Sequence, residues 1–385
     1  MREAICYTNQ QFVMMSDHPD SFALHEFPDV LLYDQQQGDE LIYKDSLPVA
    51  NSIDCGNGNR AILTAGAEGG LMPLGLKKMP DGTPAERLNL LGGSSRQTVD
   101  KLHDLGAMVF VTHPERWSTG ELANLPIDGI DVYNFHRNAD PKDLLHPDED
   151  PGGLSWDNVG DTLRIVLQSW ERADADLLLL GFLEENQRDL DHWDRLLCDR
   201  RTVGIMASDV HRNALKLNLP DGDRADSYRR LMRWLANYVL VGDQTLEEIE
   251  NAVRKGRMYG AFQVFGEPVG FDYYAETLSN QFEMGDEVPL SAAPVLHVRL
   301  PQFYRMNPNL EKPMMIARIF KAGTDGKTQV ALSFNQDLVF SVTEAGVYRA
   351  EINVVPYHLK DWLGDNPDHF MKVYPLIYAN AIYVR

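Results

Sequence analysis

The sequence is poor in cysteine and has no long apolar run, and each shortage excludes a class of protein. The three cysteines, Cys6, Cys55 and Cys198, are odd in number and widely spaced without a paired CxxC, which argues against a disulfide framework. No apolar stretch reaches the roughly 18 residues that a transmembrane helix needs. The motifs HExxH and GxxxxGK[ST] are also absent, so the common zinc-protease and P-loop templates do not apply.

Positive charge is the second shortage. The 385 residues contain 36 basic and 57 acidic side chains, a net charge of -21, which disfavours general nucleic-acid binding because few cations could replace counterions on a polyanion. Residues 1–264 carry -17 of this charge and residues 265–385 only -4. An acidic region that handles phosphate needs a local positive charge, and a bound metal ion is the simplest source.

The secondary-structure pattern of the first 264 residues alternates between strands and helices. Short apolar runs at 12–15, 61–64, 108–112, 129–133, 177–181 and 203–207 predict buried strands, and helical patterns cover 94–105, 159–173, 190–199, 225–241 and 245–255. Such alternation favours parallel β/α units in a barrel or an open sheet. From about Gly266 the sequence changes to short alternating strands, which predicts a small all-β sandwich. We therefore predict two domains, 1–264 and 265–385.

Potential metal ligands follow four of the predicted strands. Asp17 and His18 follow the first strand, Glu68 the second and His113 the third, and the strand at 203–207 leads into Asp209 and His211. Because the carboxyl ends of parallel strands converge on one face, these side chains are expected to share a cleft. Histidine and carboxylate ligands suit divalent zinc, manganese or iron.

Each of these residues also has an ordinary structural explanation when it is taken alone. Asp17-His18-Pro19 is a plausible turn, and Ser208-Asp209 is a plausible helix cap. A single histidine after a strand is most often a hydrogen-bonded loop residue. The joint occurrence at four strand ends is what favours a metal site.

Several strings resemble motifs of the polymerase and histidinol phosphatase (PHP) superfamily. They are VMMSDHPDS, TAGAEGG, VFVTHPERW, GIDVYNFHRN and GIMASDVHRN, in that order along the chain, followed by LEEIENAVRKGRMYGAF. The resemblance implies a distorted (βα)7 barrel that binds divalent metals and hydrolyses phosphoesters. It implies that His18, Glu68, His113, Asp209 and His211 are metal ligands. It further implies catalytic roles for Asp17, Glu68 and Asp209, with Glu68 as a bridging carboxylate and Asp17 orienting His18.

The sequence also departs from this family pattern. Members begin with a strand carrying His-x-His, and nothing upstream of Asp17 supplies that pair. No histidine ligand occurs between Glu68 and His113, and either Asp131 or His136 is a candidate replacement for a missing ligand. The missing motif suggests an N-terminally truncated chain, a start codon assigned too late or a degenerate relative, and it predicts weak turnover and partial metal occupancy.

The predicted function is that of a metal-dependent phosphoesterase, in which a metal-activated water attacks a small-molecule or polymeric phosphoester. Two alternatives stay open: a catalytically inactive PHP-like binding protein, and a metal-dependent hydrolase of a non-phosphate substrate. The sequence as printed predicts a cytoplasmic location, or an exported one if a signal peptide preceded Met1. It leaves the oligomeric state open.

Overall fold

The computed structural model describes residues 1–56, 58–135, 137–139, 154–212 and 216–385. The α-helices in these ranges are α1 (Arg2–Tyr7), α2 (Pro19–Phe22), α3 (Pro84–Leu91), α4 (Arg96–Asp104), α5 (Thr119–Asn124), α6 (Trp156–Gln168), α7 (Gln187–Asp199), α8 (Tyr228–Leu231) and α9 (Leu246–Lys255). None of the helices within the described ranges has the length and apolar character needed to cross a membrane.

The strands are more numerous than the helices. They are β1 (Phe12–Met14), β2 (Glu40–Lys44), β3 (Leu47–Asp54), β4 (Arg60–Gly66), β5 (Leu71–Leu76), β6 (Met108–Val111), β7 (Gly129–Asn134), β8 (Val203–Ala207), β9 (Leu235–Val239), β10 (Met258–Phe262), β11 (Pro268–Val269), β12 (Asp272–Glu276), β13 (Gln281–Glu283), β14 (Glu287–Val288), β15 (Val295–Arg299), β16 (Gln302–Phe303), β17 (Met314–Lys321), β18 (Thr328–Phe334), β19 (Leu338–Ser341), β20 (Gly346–Val355), β21 (Tyr374–Ala379) and β22 (Ile382–Val384).

The first sheet is mixed rather than parallel. Its order is β2-β3-β4-β5-β6-β7-β8, and β1 pairs with β4 outside this path. The pairs β1–β4 and β6–β7 are parallel, whereas β2–β3, β3–β4, β4–β5 and β5–β6 are antiparallel. The predicted (βα)7 barrel is therefore wrong.

The reason for this correction lies in the connections between β2 and β5. Asp45 and Ser46 join β2 to β3 with φ values of 50° and 66°, as in the type I′ turn of a two-residue hairpin. Only four residues separate β4 from β5. Connections this short cannot contain the crossover that a parallel pair requires, so the strands must run antiparallel.

Two predicted elements also have the wrong type. The apolar run at 177–181 lies in a 3₁₀ helix, Ala175–Phe182, instead of a strand. The predicted helix at 225–241 is replaced by the short helix α8 followed by β9, which pairs antiparallel with β10 from Met258 to Phe262. Cross-strand pairing with distant residues outweighs the local helical pattern here.

The second large sheet has the order β14-β22-β20-β21-β10-β9, with β17 pairing with both β20 and β18. A separate four-stranded antiparallel sheet has the order β13-β12-β15-β19. The predicted self-contained sandwich is wrong because β9 and β10, which precede residue 264, belong to the same sheet as the C-terminal strands.

The chain divides into two compact units. The first contains Met1–Asp131, Arg201–Val203 and Val241–Arg254, and the second contains Val132–Arg200, Gly204–Leu240 and Lys255–Arg385. In the first unit, the strand residues Leu63, Ala65, Val109 and Val111 are completely buried. In the second unit, residues such as Ala350, Ile352 and Ile377 of β20 and β21 form a comparable core.

The first unit contains a disulfide that the sequence analysis did not predict. Cys6 of α1 is bonded to Cys55, which follows β3, whereas Cys198 is a free thiol. The bond joins residues 49 positions apart and anchors the first helix to the sheet. The cysteines thus form one cross-link, although not a framework of several.

Candidate metal site

The strands that carry the predicted ligands of the first unit end at the same edge of the sheet. β1 and β4 are parallel, and β5 runs opposite to both β4 and β6. It follows that β1, β4 and β6 all point in one direction. The residues after these strands, Asp17, Glu68 and His113, therefore meet at one edge even though the fold is not a parallel barrel.

Backbone contacts fix the position of Glu68. Its N–H donates to the carbonyl oxygen of Asp17 at 2.8 Å, and the N–H of Asp17 donates to the carbonyl of Gly66 at 3.2 Å. A Cβ atom at Gly66 would lie 2.4 Å from the Pro73 carbonyl, so only glycine permits this close approach of the chains. The Ser16 hydroxyl lies 3.5 Å from Oε2 of Glu68.

His113 lies in a turn that places its ring beside the carboxylate of Glu115. The residue has a φ of 49° and precedes the 3₁₀ helix Pro114–Arg116. Its Nδ1 lies 3.2 Å from Oε1 of Glu115, and both side chains are largely buried. A carboxylate that accepts from Nδ1–H leaves Nε2 as a lone-pair donor, which is the arrangement typical of histidine ligands to metals.

The loops that carry Glu68 and His113 are tied to each other. The hydroxyl of Thr112 donates to the carbonyl of Gly69 at 2.6 Å. A carboxylate oxygen of Glu68 and a ring nitrogen of His113 lie within 4.8 Å of each other. Ligands bound to one zinc ion at about 2.0–2.2 Å are separated by about 3–4 Å, so a small side-chain adjustment brings this pair to a shared metal.

Asp209 and His211 form a second pair, which belongs to the second unit. They follow β8, and Nε2 of His211 lies 2.5 Å from Oδ1 of Asp209. Asp209 and Arg212 both have positive φ values, 46° and 56°, and the Arg212 carbonyl accepts a 2.8 Å hydrogen bond from Arg224. The Asp-x-His sequence thus folds into a tight turn whose carboxylate and imidazole point at each other.

Left-handed backbone conformations occur at two of the predicted ligands, His113 and Asp209. Non-glycine residues in this region cost conformational energy, and such strain concentrates at functional sites. Asp and His both adopt this conformation more readily than most non-glycine residues, so the conformation favours neither position over the other.

The remaining candidates are less favourably placed. His18 is exposed at the start of α2, and its backbone N–H donates to Oδ1 of Asp17 at 2.8 Å. The carboxylate of Asp17 thus accepts a hydrogen bond from the backbone of His18. Asp131 is completely buried within β7, before the carboxyl end of that strand. His136, the alternative replacement ligand, lies outside the described residues.

Sequence reasoning missed the residues that support the ligands. Glu115 and Thr112 flank His113 in the sequence, and Ser16 precedes Asp17. A carboxylate two positions after a candidate histidine was the available signal for Glu115. Ser16 and Thr112 carry no comparable signal, because their contacts depend on the pairing of β1 with β4 and of β5 with β6.

No family model matches this chain, and neither any curated protein nor any solved structure does. The resemblance to the PHP superfamily therefore stays a prediction from the motifs.

Proposed function

We propose that this protein is a hydrolase of phosphoesters that depends on a divalent metal ion, with Glu68 and His113 as metal ligands. The observation that carries the proposal is the convergence of a carboxylate oxygen and an imidazole nitrogen within 4.8 Å after two strands that point the same way. We propose Asp209 and His211 as further ligands because they follow β8 in an Asp-x-His turn. This donor set suits zinc, manganese or iron.

The residues of the chain have separate tasks in this proposal. Glu68 supplies a negative charge that raises metal affinity, and Glu115 holds the His113 ring with Nε2 directed away from the carboxylate. A bound divalent ion supplies Lewis acidity, polarising a phosphoryl oxygen and lowering the pKa of a water. The large negative charge of the chain disfavours binding of a phosphate group unless a cation is bound with it.

The activity is tested with a generic aryl phosphate, comparing protein loaded with manganese or zinc with the same protein in chelator. Turnover is expected only in the loaded protein, and Glu68→Gln is expected to lower it by at least about 100-fold, because the neutral amide keeps the shape of a ligand but loses its charge. Glu86→Gln is a matched control, since Glu86 is exposed and caps α3.

Two negative outcomes of this assay have different consequences. Metal binding without turnover on any phosphoester would favour hydrolysis of a non-phosphate substrate. Failure to bind either metal would remove the proposal and leave the binding-protein alternative.

Glu115 provides a test that does not depend on activity. Glu115→Gln is expected to weaken metal affinity by about 10–100-fold, because the His113 ring loses the carboxylate that orients it. Competition with a fluorescent chelator measures this affinity. Glu121→Gln, an exposed carboxylate in the cap of α5, is expected to bind metal like the unmodified protein. Equal affinities for Glu115→Gln and Glu121→Gln would exclude this role for Glu115.

We further propose that the protein works in an oxidising compartment, which favours the exported alternative. The Cys6–Cys55 disulfide supports this, since such bonds rarely persist in a reducing cytosol. Alkylation of the natively isolated, denatured protein is expected to label one thiol, Cys198, before reduction and all three cysteines after it. Labelling of Cys6 and Cys55 before reduction would contradict the proposal.

A further inference from the structure

Helix α6 of the second unit has its polar and apolar faces inverted. Its inward residues are mainly polar: Asn158 donates to the Gly181 carbonyl at 2.7 Å, and Asp161 lies 2.6 Å from Nε2 of His369. Thr162 and Ile165 complete the buried face. The outward residues are large and apolar: Trp156 is 70% exposed, Leu163 53%, Leu167 74% and Trp170 56%.

These outward residues form one continuous stripe. At about 100° per residue, Trp156, Leu163, Leu167 and Trp170 fall on one side of the helix, together with Gly160. Trp170 follows Ser169, whose φ of -64° and ψ of -18° continue the helical path. A Cβ atom added at Gly160 would meet no atom within 4 Å, so the surface above this glycine is open. A helix at a solvated surface normally has the opposite arrangement.

The residues of the stripe, together with the half-buried Val159 and Val166 beside it, are also spaced symmetrically about Leu163. Trp156 and Trp170 are each seven positions from Leu163, Val159 and Leu167 are each four, and Gly160 and Val166 are each three. If two copies of α6 cross antiparallel with a twofold axis at Leu163, every residue of the stripe faces another apolar residue or glycine. Self-complementarity of this kind is what an isologous dimer interface requires.

We propose that the outward face of α6, defined by Trp156, Gly160, Leu163, Leu167 and Trp170, is the interface of an antiparallel homodimer. The four large side chains expose about 500 Å² of apolar surface per copy, at the upper end of what a monomer normally exposes. A stable dimer usually buries about 800 Å² on each partner. The dimer is therefore weak and dependent on concentration. Since each copy carries a charge of -21, salt screens the repulsion and strengthens the dimer.

The oligomeric state tests this interface. Sedimentation velocity of the full chain over a wide concentration range is expected to show a shift from monomer to dimer, which moves to lower concentration when salt is added. Leu163→Asp places two carboxylates at the axis and is expected to abolish the shift. Leu278→Asp is the matched control, because Leu278 is fully exposed outside the stripe. Unmodified protein that stays monomeric at all concentrations, or Leu163→Asp that dimerises like the control, overturns the proposal.

Cross-linking tests the antiparallel register. In a Cys198→Ser background, Leu163→Cys is expected to form an intermolecular disulfide readily, because the axis brings the two copies of this residue together. A mixture of Trp156→Cys and Trp170→Cys proteins is expected to cross-link to each other faster than either does alone. Leu278→Cys gives the background rate. Cross-linking of Leu163→Cys at that background rate overturns the register.

Discussion

Replacing Arg349 by alanine is expected to destabilise the second unit by about 3–5 kcal/mol, because the buried carboxylate of Asp194 then loses this partner and that of Glu351 keeps only Lys327. The guanidinium of Arg349 is fully buried and makes two hydrogen bonds to Asp194, at 2.6 and 2.7 Å, and a third to Glu351 at 2.5 Å. Burial by itself raises the pKa of Glu351, but the charges of Arg349 and Lys327 outweigh it and hold that pKa below its usual value.

Denaturant unfolding of Arg349→Ala and of the unmodified protein measures this loss in the free energy of unfolding. The double variant Arg349→Met with Asp194→Leu is expected to recover most of it, since both charges leave the interior and apolar volume replaces them. Lys321→Ala is the control, because Lys321 and Glu344 form an ion pair at the surface that contributes at most about 1 kcal/mol. A loss of less than about 1 kcal/mol for Arg349→Ala would show that this network is not essential for stability.

The Arg349 network illustrates what the sequence could not reveal. Arg349 and Asp194 are 155 positions apart, and neither the period of hydrophobic residues nor any short motif indicates that they pair. Helix α6 misleads in a similar way, because a helical pattern of Trp and Leu predicts that these residues face the core. The structure instead buries Asn158 and Asp161 and exposes Trp156 and Leu167.

The fold class was missed for a local reason. Runs of apolar residues identified β4, β6, β7 and β8, but β2, β3 and β5 were not recognised as strands. The segment Leu71–Leu76 contains a proline and a glycine, which argue against a strand, and the turn Asp45-Ser46 between β2 and β3 lacks the Asn-Gly or Asp-Gly pair that marks a hairpin. With these strands omitted, the remaining alternation of helices and strands favours parallel β/α units in a barrel or an open sheet, and the family resemblance implies the barrel.

Glu68 and His113 nevertheless follow strands that end at one edge of the sheet, although the fold is not the expected barrel. Their position at one edge requires only that the strands before these residues point the same way. β4 and β6 satisfy this condition with the reversed strand β5 between them. His18 differs, since the end of a strand specifies where a residue lies in the sheet and not which way its side chain points. His18 is an exposed residue immediately before α2.

The metal proposal predicts a large change in thermal stability. With manganese or zinc at about 100 times its dissociation constant, binding stabilises the folded protein by about 2.7 kcal/mol, which corresponds to a rise of about 5 °C in Tm over protein in chelator. His113→Ala is expected to abolish this rise, because the metal loses its imidazole ligand. His25→Ala is the matched control, since His25 is an exposed histidine between α2 and β2.

Asp209→Ala separates a metal ligand from a structural aspartate. The substitution removes a carboxylate that lies against His211 and deletes no apolar volume, so stability in chelator is expected to change little or to increase. The metal-induced rise in Tm is expected to disappear. An aspartate that only caps a turn behaves differently, since its loss costs about 0.5–2 kcal/mol whether metal is present or not. Melting curves of both proteins, each with metal and with chelator, distinguish the two roles. A metal-induced rise that survives unchanged in Asp209→Ala removes Asp209 from the set of ligands and leaves Glu68 and His113 to be tested alone.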